Sequence, residues 1–253
     1  MKLNRRGRVL LALVGATAFA AGCEDDSEVA APAVTAQAPA SRPPAPKRPL
    51  LEFPRSGNPI VTVKRGERVA LYDVPGGEVL EWVHDETEFG SPTVFSVSRE
   101  RDGWAAVPTA HFENGRLVWI RLDPKRLRAD SLHTEIEIDL SDFQATLMYR
   151  DRAISTFSIS IGMPTAPTPT GSFAVTDTFR GGLNPAYGCC AVALTARQIR
   201  LPSGWLGGDR IAIHGTSGAL GAEISNGCVR AADEEVNNLI ETVPPGTPVT
   251  IRG

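Results

Sequence analysis

Between Val61 and Leu122 the apolar residues fall in short runs: VTVKRGERVALYDV, VLEWV, PTVFSVSRERDGWAAVPT and GRLVWIR. Turn-forming residues separate or interrupt them at Pro75-Gly76-Gly77, Asp102-Gly103 and Asn114-Gly115. Short apolar runs closed by glycine-containing turns predict antiparallel strands, so residues 57–123 read as one small antiparallel β-barrel. Large aromatic side chains dominate core burial, and Trp82, Trp104 and Trp119 are expected in the core of so small a barrel rather than along a ligand groove. The polar, basic stretch DPKRLRADS follows as a bridge. From His133 a period-two alternation sets in, with Ile136, Ile138 and Leu140, then Phe157, Ile159 and Ile161, Phe173 and Val175, Ile211 and Ile213, and Val249 and Ile251 on successive strands. One segment breaks the β pattern. In DEEVNNLIETV, Val236, Leu239, Ile240 and Val243 recur at i, i+3, i+4 and i+7, the spacing of one helical face. Acidic residues occupy its first turn, where the helix dipole favours them, and Pro244-Pro245-Gly246 ends it. Residues 133–252 are thus predicted to form a second, mainly β domain with one packed C-terminal helix, long enough to bury its own core.

The first residues follow another pattern. Lys2, Arg5, Arg6 and Arg8 precede the apolar run VLLALVGATAFA, and Ala20, Ala21 and Gly22 lead into Cys23. A basic region, a short apolar region and a small-residue exit describe an export signal over residues 1–22. The run from Val9 to Ala20 is shorter than the roughly 20 residues a bilayer-spanning helix needs. Its Ala-Ala-Gly-Cys ending resembles a bacterial lipoprotein signal, which implies cleavage before Cys23, a lipid on that cysteine, and a membrane as partner. Residues 23–56 include the stretch EDDSEVAAPAVTAQAPASRPPAPKRP, rich in Ala and Pro and without an aromatic residue. Such composition predicts a disordered tether. At about 3.1 Å per residue in a polyproline-like conformation, positions 24–50 would reach on the order of 80 Å from the membrane.

Charge narrows the choice of partner. Loss of residues 1–22 removes four cationic and no acidic side chains, leaving 22 Lys and Arg against 29 Asp and Glu, a formal charge of −7. That balance argues against nucleic acid, or an anionic membrane surface recognised by bulk charge. With Cys23 set aside, Cys189, Cys190 and Cys228 remain, an odd number for an oxidising compartment.

Cys228 sits in Ser225-Asn226-Gly227-Cys228-Val229-Arg230, downstream of a strand ending in His214-Gly215-Thr216. A thiol becomes a useful nucleophile when a neighbouring base accepts its proton. A hairpin-like excursion, bent at Gly215, Gly218, Gly221 and Gly227, is expected to bring the two together. Backbone N–H groups around Cys228 are then candidate donors to an oxyanion. Spacing alone leaves a buried structural cysteine and a hydrogen-bonded surface histidine equally open. Cys189 and Cys190 lack the paired spacing of a zinc site; either they form a vicinal disulfide or one of them lies near Cys228.

The string IHGTSGALGAEISNGCVR resembles the signature of the L,D-transpeptidases, and the likeness extends from PTPTGSF at 167–173 to PPGTPVTI at 244–251. The order of runs and turns in the preceding barrel resembles the small SH3-like β-barrels that precede catalytic domains in exported wall enzymes of this kind. The resemblance implies an extracytoplasmic enzyme, anchored to the cell membrane, whose partners are the donor and acceptor stem peptides of peptidoglycan and which needs no cofactor or metal. Cys228 would attack the L,D amide before the terminal D-Ala of a tetrapeptide stem, release D-Ala and form a thioester, which an amine of a neighbouring stem resolves. His214 would act as base and then acid. Gly215, Ser225 and Gly227 would shape the loop and oxyanion site, and Arg230 would orient the loop or pair with a substrate carboxylate, a surface ion pair being its plainer reading. Acylation of Cys228 by carbapenem-type β-lactams is a further implication. An L,D-carboxypeptidase, or a catalytically silent peptidoglycan-binding lipoprotein, are the alternatives. Asn226 stands where many members have a second His, and no acidic residue that would orient His214 is evident in the sequence.

Overall fold

The computed structural model describes residues 51–205 and 208–253. The expected signal, Cys23 and the tether up to residue 50 lie outside the described residues; the last part of the expected tether, residues 51–56, is instead docked, with Leu51 and Phe53 packed against the core of the first β-unit because both are apolar. Eight strands make the first β-unit: β1 (Asn58–Val63), β2 (Arg68–Tyr72), β3 (Val79–His84), β4 (Val94–Ser96), β5 (Arg99–Arg101), β6 (Trp104–Pro108), β7 (Leu117–Arg121) and β8 (Leu127–Leu132). They form a three-stranded sheet, β4-β1-β8, and a five-stranded sheet, β3-β2-β7-β6-β5. Both contribute to one core, in which Val61, Leu71, Val107, Val118, Ile120 and Leu127 are fully buried.

Two expectations fail here. The stretch read as a bridge holds β8, antiparallel to β1 with Val61 opposite Ala129. Its polar residues hid it because only Leu127 faces the core. The tryptophans are not core residues. Trp82 is 43% exposed, with the Arg68 guanidinium 4.6 Å from its ring, and Trp104 and Trp119 are only partly buried. Branched aliphatic residues and Phe95 fill the interior instead.

The second region contains β9 (Thr134–Asp139), β10 (Gln144–Tyr149), β11 (Arg152–Gly162), β12 (Gly171–Phe179), β13 (Ala191–Arg197), β14 (Arg210–Thr216), β15 (Glu223–Ser225), β16 (Val229–Ala232), α1 (Asp233–Thr242) and β17 (Pro248–Arg252). Strand order is β10-β9-β17-β12-β13-β14-β16-β11-β15, and β10 also pairs with β11. That last pairing closes eight of the nine strands into a ring, with β15 appended to β11. The alternation in the sequence corresponds to the inner face: Ile136, Ile138, Ile159, Val175, Ile211, Ile213 and Ile251 are buried together. Val236, Leu239 and Ile240 turn one face of α1 onto this core. Each such side chain contributes roughly 1.5–3 kcal/mol by leaving water. The chain is therefore mainly β with one packed helix.

Candidate active site

His214 and Cys228 come together through a parallel pairing, not a hairpin. β14 and β16 run in the same direction, with Ile213 opposite Val229 and His214 opposite Arg230. Parallel neighbours require a crossover, and the intervening chain supplies it by sending β15 to pair with β11. Cys228 therefore enters beside the middle of β14. Both side chains line a cavity of about 650 Å³ with Tyr187, Gln198, Arg210 and Arg230.

The loop before Cys228 is held by its carbonyls. Gln198 Nε2 donates to the Asn226 carbonyl at 3.2 Å and to that of Pro167 at 2.9 Å. Thr168 Oγ1 donates to the Gly227 carbonyl at 2.8 Å and accepts the Gly162 N–H at 2.9 Å. Ser225 Oγ donates to the Cys228 carbonyl at 2.5 Å and accepts the Gly227 N–H at 3.1 Å. Three consecutive carbonyls thus have assigned donors. In a trans peptide the N–H points opposite to the C=O, so the Cys228 N–H points away from Thr168. The Gly227 N–H is already engaged, and what glycine supplies there is conformation. Its φ is +109°, and a Cβ would collide with Gln198 Nε2.

His214 is oriented by backbone. Its Nδ1 lies 2.9 Å from the Gly215 carbonyl; because a carbonyl only accepts, Nδ1 carries the proton and Nε2 is left as the acceptor. The Gly215 N–H in turn donates to the Cys190 carbonyl at 3.0 Å. The Tyr187 ring, on a single 3-10 turn (Pro185–Tyr187), meets the imidazole edge to face at 4.9 Å. A Cβ on Gly215 would strike Asp233 Oδ1, the atom that accepts the Cys189 N–H at 3.2 Å. Cys189 and Cys190 are joined as a disulfide, and Cys228 is the free cysteine among the described residues.

Burial pushes the His214 imidazole below its ordinary value, with Arg230 acting in the same direction and the Gly215 and Tyr187 carbonyls opposing. Burial pushes the Cys228 thiol up, against the Ala212 backbone N–H and the Arg230 charge, although the residue keeps part of its surface open to the cavity. These directions leave both groups neutral at neutral pH. The thiol faces the Arg210 main-chain carbonyl, 3.9 Å from Sγ. Arg230 forms no ion pair among the described residues, and its buried Nε has no partner there. The surface ion pair considered for it does not occur among the described residues. Gln198, Tyr187 and Asp233 carry no signal in the sequence as site residues, whereas Thr168 falls within the PTPTGSF string.

Residues 133–251 match the family model of the YkuD L,D-transpeptidase catalytic domain. The putative L,D-transpeptidase YkuD of Bacillus subtilis is 29% identical over 118 residues, 46% of this chain and 64% of that protein. The putative L,D-transpeptidase YqjB of the same organism is 35% identical over 104 residues, 38% of this chain and 57% of that protein. The chain thus spans less than two thirds of either relative. An L,D-transpeptidase structure from Mycobacterium smegmatis aligns with a TM-score of 0.41 at 14% identity, over 62% of this chain and 80% of that one.

Proposed function

We propose that this chain, whose residues 133–251 carry a domain of the YkuD L,D-transpeptidase catalytic family, cross-links or remodels peptidoglycan through a thioester on Cys228. In this reading the chain is exported and lipid-anchored through Cys23, and works outside the cytoplasm. The observation that carries it is the cavity shared by the Cys228 thiol, an imidazole whose Nδ1 is tied to the Gly215 carbonyl, and Arg230, whose buried Nε has no partner among the described residues.

The chemistry follows from the neutral resting pair. His214 Nε2 accepts the thiol proton as sulfur attacks the carbonyl carbon of the amide before the terminal D-Ala of a stem peptide. Such an encounter requires the thiol to turn from the Arg210 carbonyl toward His214, a tightening usual when substrate fills a catalytic cavity. The oxyanion takes the Cys228 N–H as donor. Collapse breaks the C–N bond, His214 returns the proton to the leaving amine, and D-Ala departs. An amine from a second stem then attacks the thioester, gives its proton to His214, and frees the thiol. Arg230 suits a stem carboxylate, because its planar fork pairs with carboxylate in two bonds.

The test is incubation of the protein and its Cys228→Ala variant with a disaccharide-tetrapeptide, with products read by mass spectrometry. Cross-linked dimers or exchange of the terminal D-amino acid with wild type alone support the reading. Loss of D-Ala without transfer makes the protein an L,D-carboxypeptidase. Absence of any Cys228-dependent product from folded protein with Cys228 free and the Cys189–Cys190 disulfide intact leaves a stem-peptide-binding role.

A further inference from the structure

We propose that Glu88 and Asn114, both in the N-terminal β-unit, are positioning residues for the Cys228 chemistry, acting through the two roots of the segment between β13 and β14. This rests on the function proposed above. The segment matters because Gln198, at its start, holds the Asn226 and Pro167 carbonyls, and because Leu201 and Trp205 wall the Cys228 cavity.

One root is Arg197, the last residue of β13. Asn114 pairs with its backbone in both directions, Nδ2 donating to the Arg197 carbonyl at 2.7 Å and Oδ1 accepting the Arg197 N–H at 2.9 Å. The Arg197 side chain donates to the Ala110 carbonyl of the same β-unit loop and pairs with Asp209 at 2.6 Å, bridging to the far end of the segment. The other root is Arg210, the first residue of β14. Its side chain is 14% exposed and pairs with Glu88 at 2.6 Å. It also donates to Thr176 Oγ1 at 2.7 Å and to the Leu194 carbonyl at 2.8 Å. Neighbouring residues seat the loop that carries Glu88. Thr87 Oγ1 donates to the fully buried Asp177 at 2.5 Å, and Phe89 meets Phe179 edge to face at 5.3 Å.

Arg210 couples the two regions directly. It lines both the Cys228 cavity and a second cavity of about 270 Å³ against the β-unit, and its own carbonyl lies 3.9 Å from Cys228 Sγ. A guanidinium buried this far is poorly solvated, so its counter-charge fixes where it sits. Removal of Glu88 frees Arg210 to shift beside the sulfur. Loss of Asn114 loosens Arg197 next to Gln198, and with it the loop that presents Cys228. Neither residue touches the proposed substrate, so the loss belongs in kcat and not in KM.

The experiment uses the full chain as wild type, Glu88→Gln, Asn114→Ala and the double variant, measuring kcat and KM for D-amino-acid exchange, the rate of Cys228 alkylation by iodoacetamide across pH, and Tm. A fourth variant, Val107→Ala, weakens the β-unit core without touching either root and reports purely structural loss. Each single variant is expected to lower kcat about tenfold with KM within about twofold, the scale at which misplacement of a reacting group is felt, and to shift the alkylation profile. Val107→Ala is expected to lower Tm as much while leaving kcat and alkylation near wild type. Equal kcat loss in Val107→Ala at matched Tm, or unchanged kcat and alkylation in the folded single variants, overturns the proposal. If wild type itself shows no Cys228-dependent turnover, the function reading fails. The alkylation profiles then decide this one alone, a shift upholding it and unchanged profiles overturning it.

Discussion

Burial of His214 and Cys228 sets the pH range in which turnover is expected. The imidazole must be neutral to accept a proton, and its folded value lies below the ordinary 6.5 because burial penalises the cation. The acid limb of kcat/KM should therefore inflect below pH 6.5, and no thiolate-driven rise should set in before the ordinary thiol value of 9.0 is passed. A pH–rate profile inflecting above 6.5 would contradict the neutral pair. The same depression has a stability sign: the unfolded chain takes up a proton that the folded imidazole refuses. The stability His214 contributes is present above pH 6.5 and is lost as pH falls through the lower folded value. Gln198 acts by hydrogen bonding alone. It is 5% exposed and supplies donors to two loop carbonyls. Gln198→Ala should cost roughly 1–3 kcal/mol for each carbonyl left dry, seen as a lowered Tm, and should depress kcat. Unchanged kcat in the folded variant would remove Gln198 from the positioning network.

Elements differ in how plainly the sequence announces them. Strands such as Ile211–Ile213 and the helix from Asp233 were readable because their periodicity is local and their buried faces are continuous. β8 was not, since a strand whose partner supplies the pairing needs only Leu127 on the core side. The motif around Cys228 was legible as a string, but how its supports reach it was not, Thr168 alone lying within a string the sequence offered. Thr168, Gln198 and Tyr187 approach from turns and strand ends far away in sequence, and only the ring's topology brings them in. Nor does sequence distinguish a hairpin from a parallel crossover between His214 and Cys228, because glycine-rich chain permits either. The turn from Tyr187 to Cys190 is an element of this hidden kind, bracing His214 through the Cys190 carbonyl and the Gly215 amide. With its disulfide intact, alkylation without reductant should label Cys228 but neither Cys189 nor Cys190. Adding a dithiol should expose both and reduce turnover, as intact mass and exchange assays would read. Labelling of all three without reductant would remove the disulfide from the account.

For the whole molecule, the closed ring and the β-unit belong to one compact body, and the β9–β17 pairing in the ring joins the paired strands farthest apart in sequence. β17 lies between β9 and β12, with Val249 opposite Ile136 on one side and Phe173 on the other. A chain stopped after Thr247 should therefore lack a cooperative thermal transition and should expose apolar surface to a hydrophobic dye. Cooperative melting of that truncation would show that the ring tolerates an open seam. Since β17 is a central strand, the ring has no finished form while synthesis is under way: until residue 252 has been made, β9 and β12 face each other across an unfilled gap. Pairing across so long a stretch of chain is slow as well as late. That delay accords with the export proposed above, in which a chain stays threadable through a secretion pore before it folds.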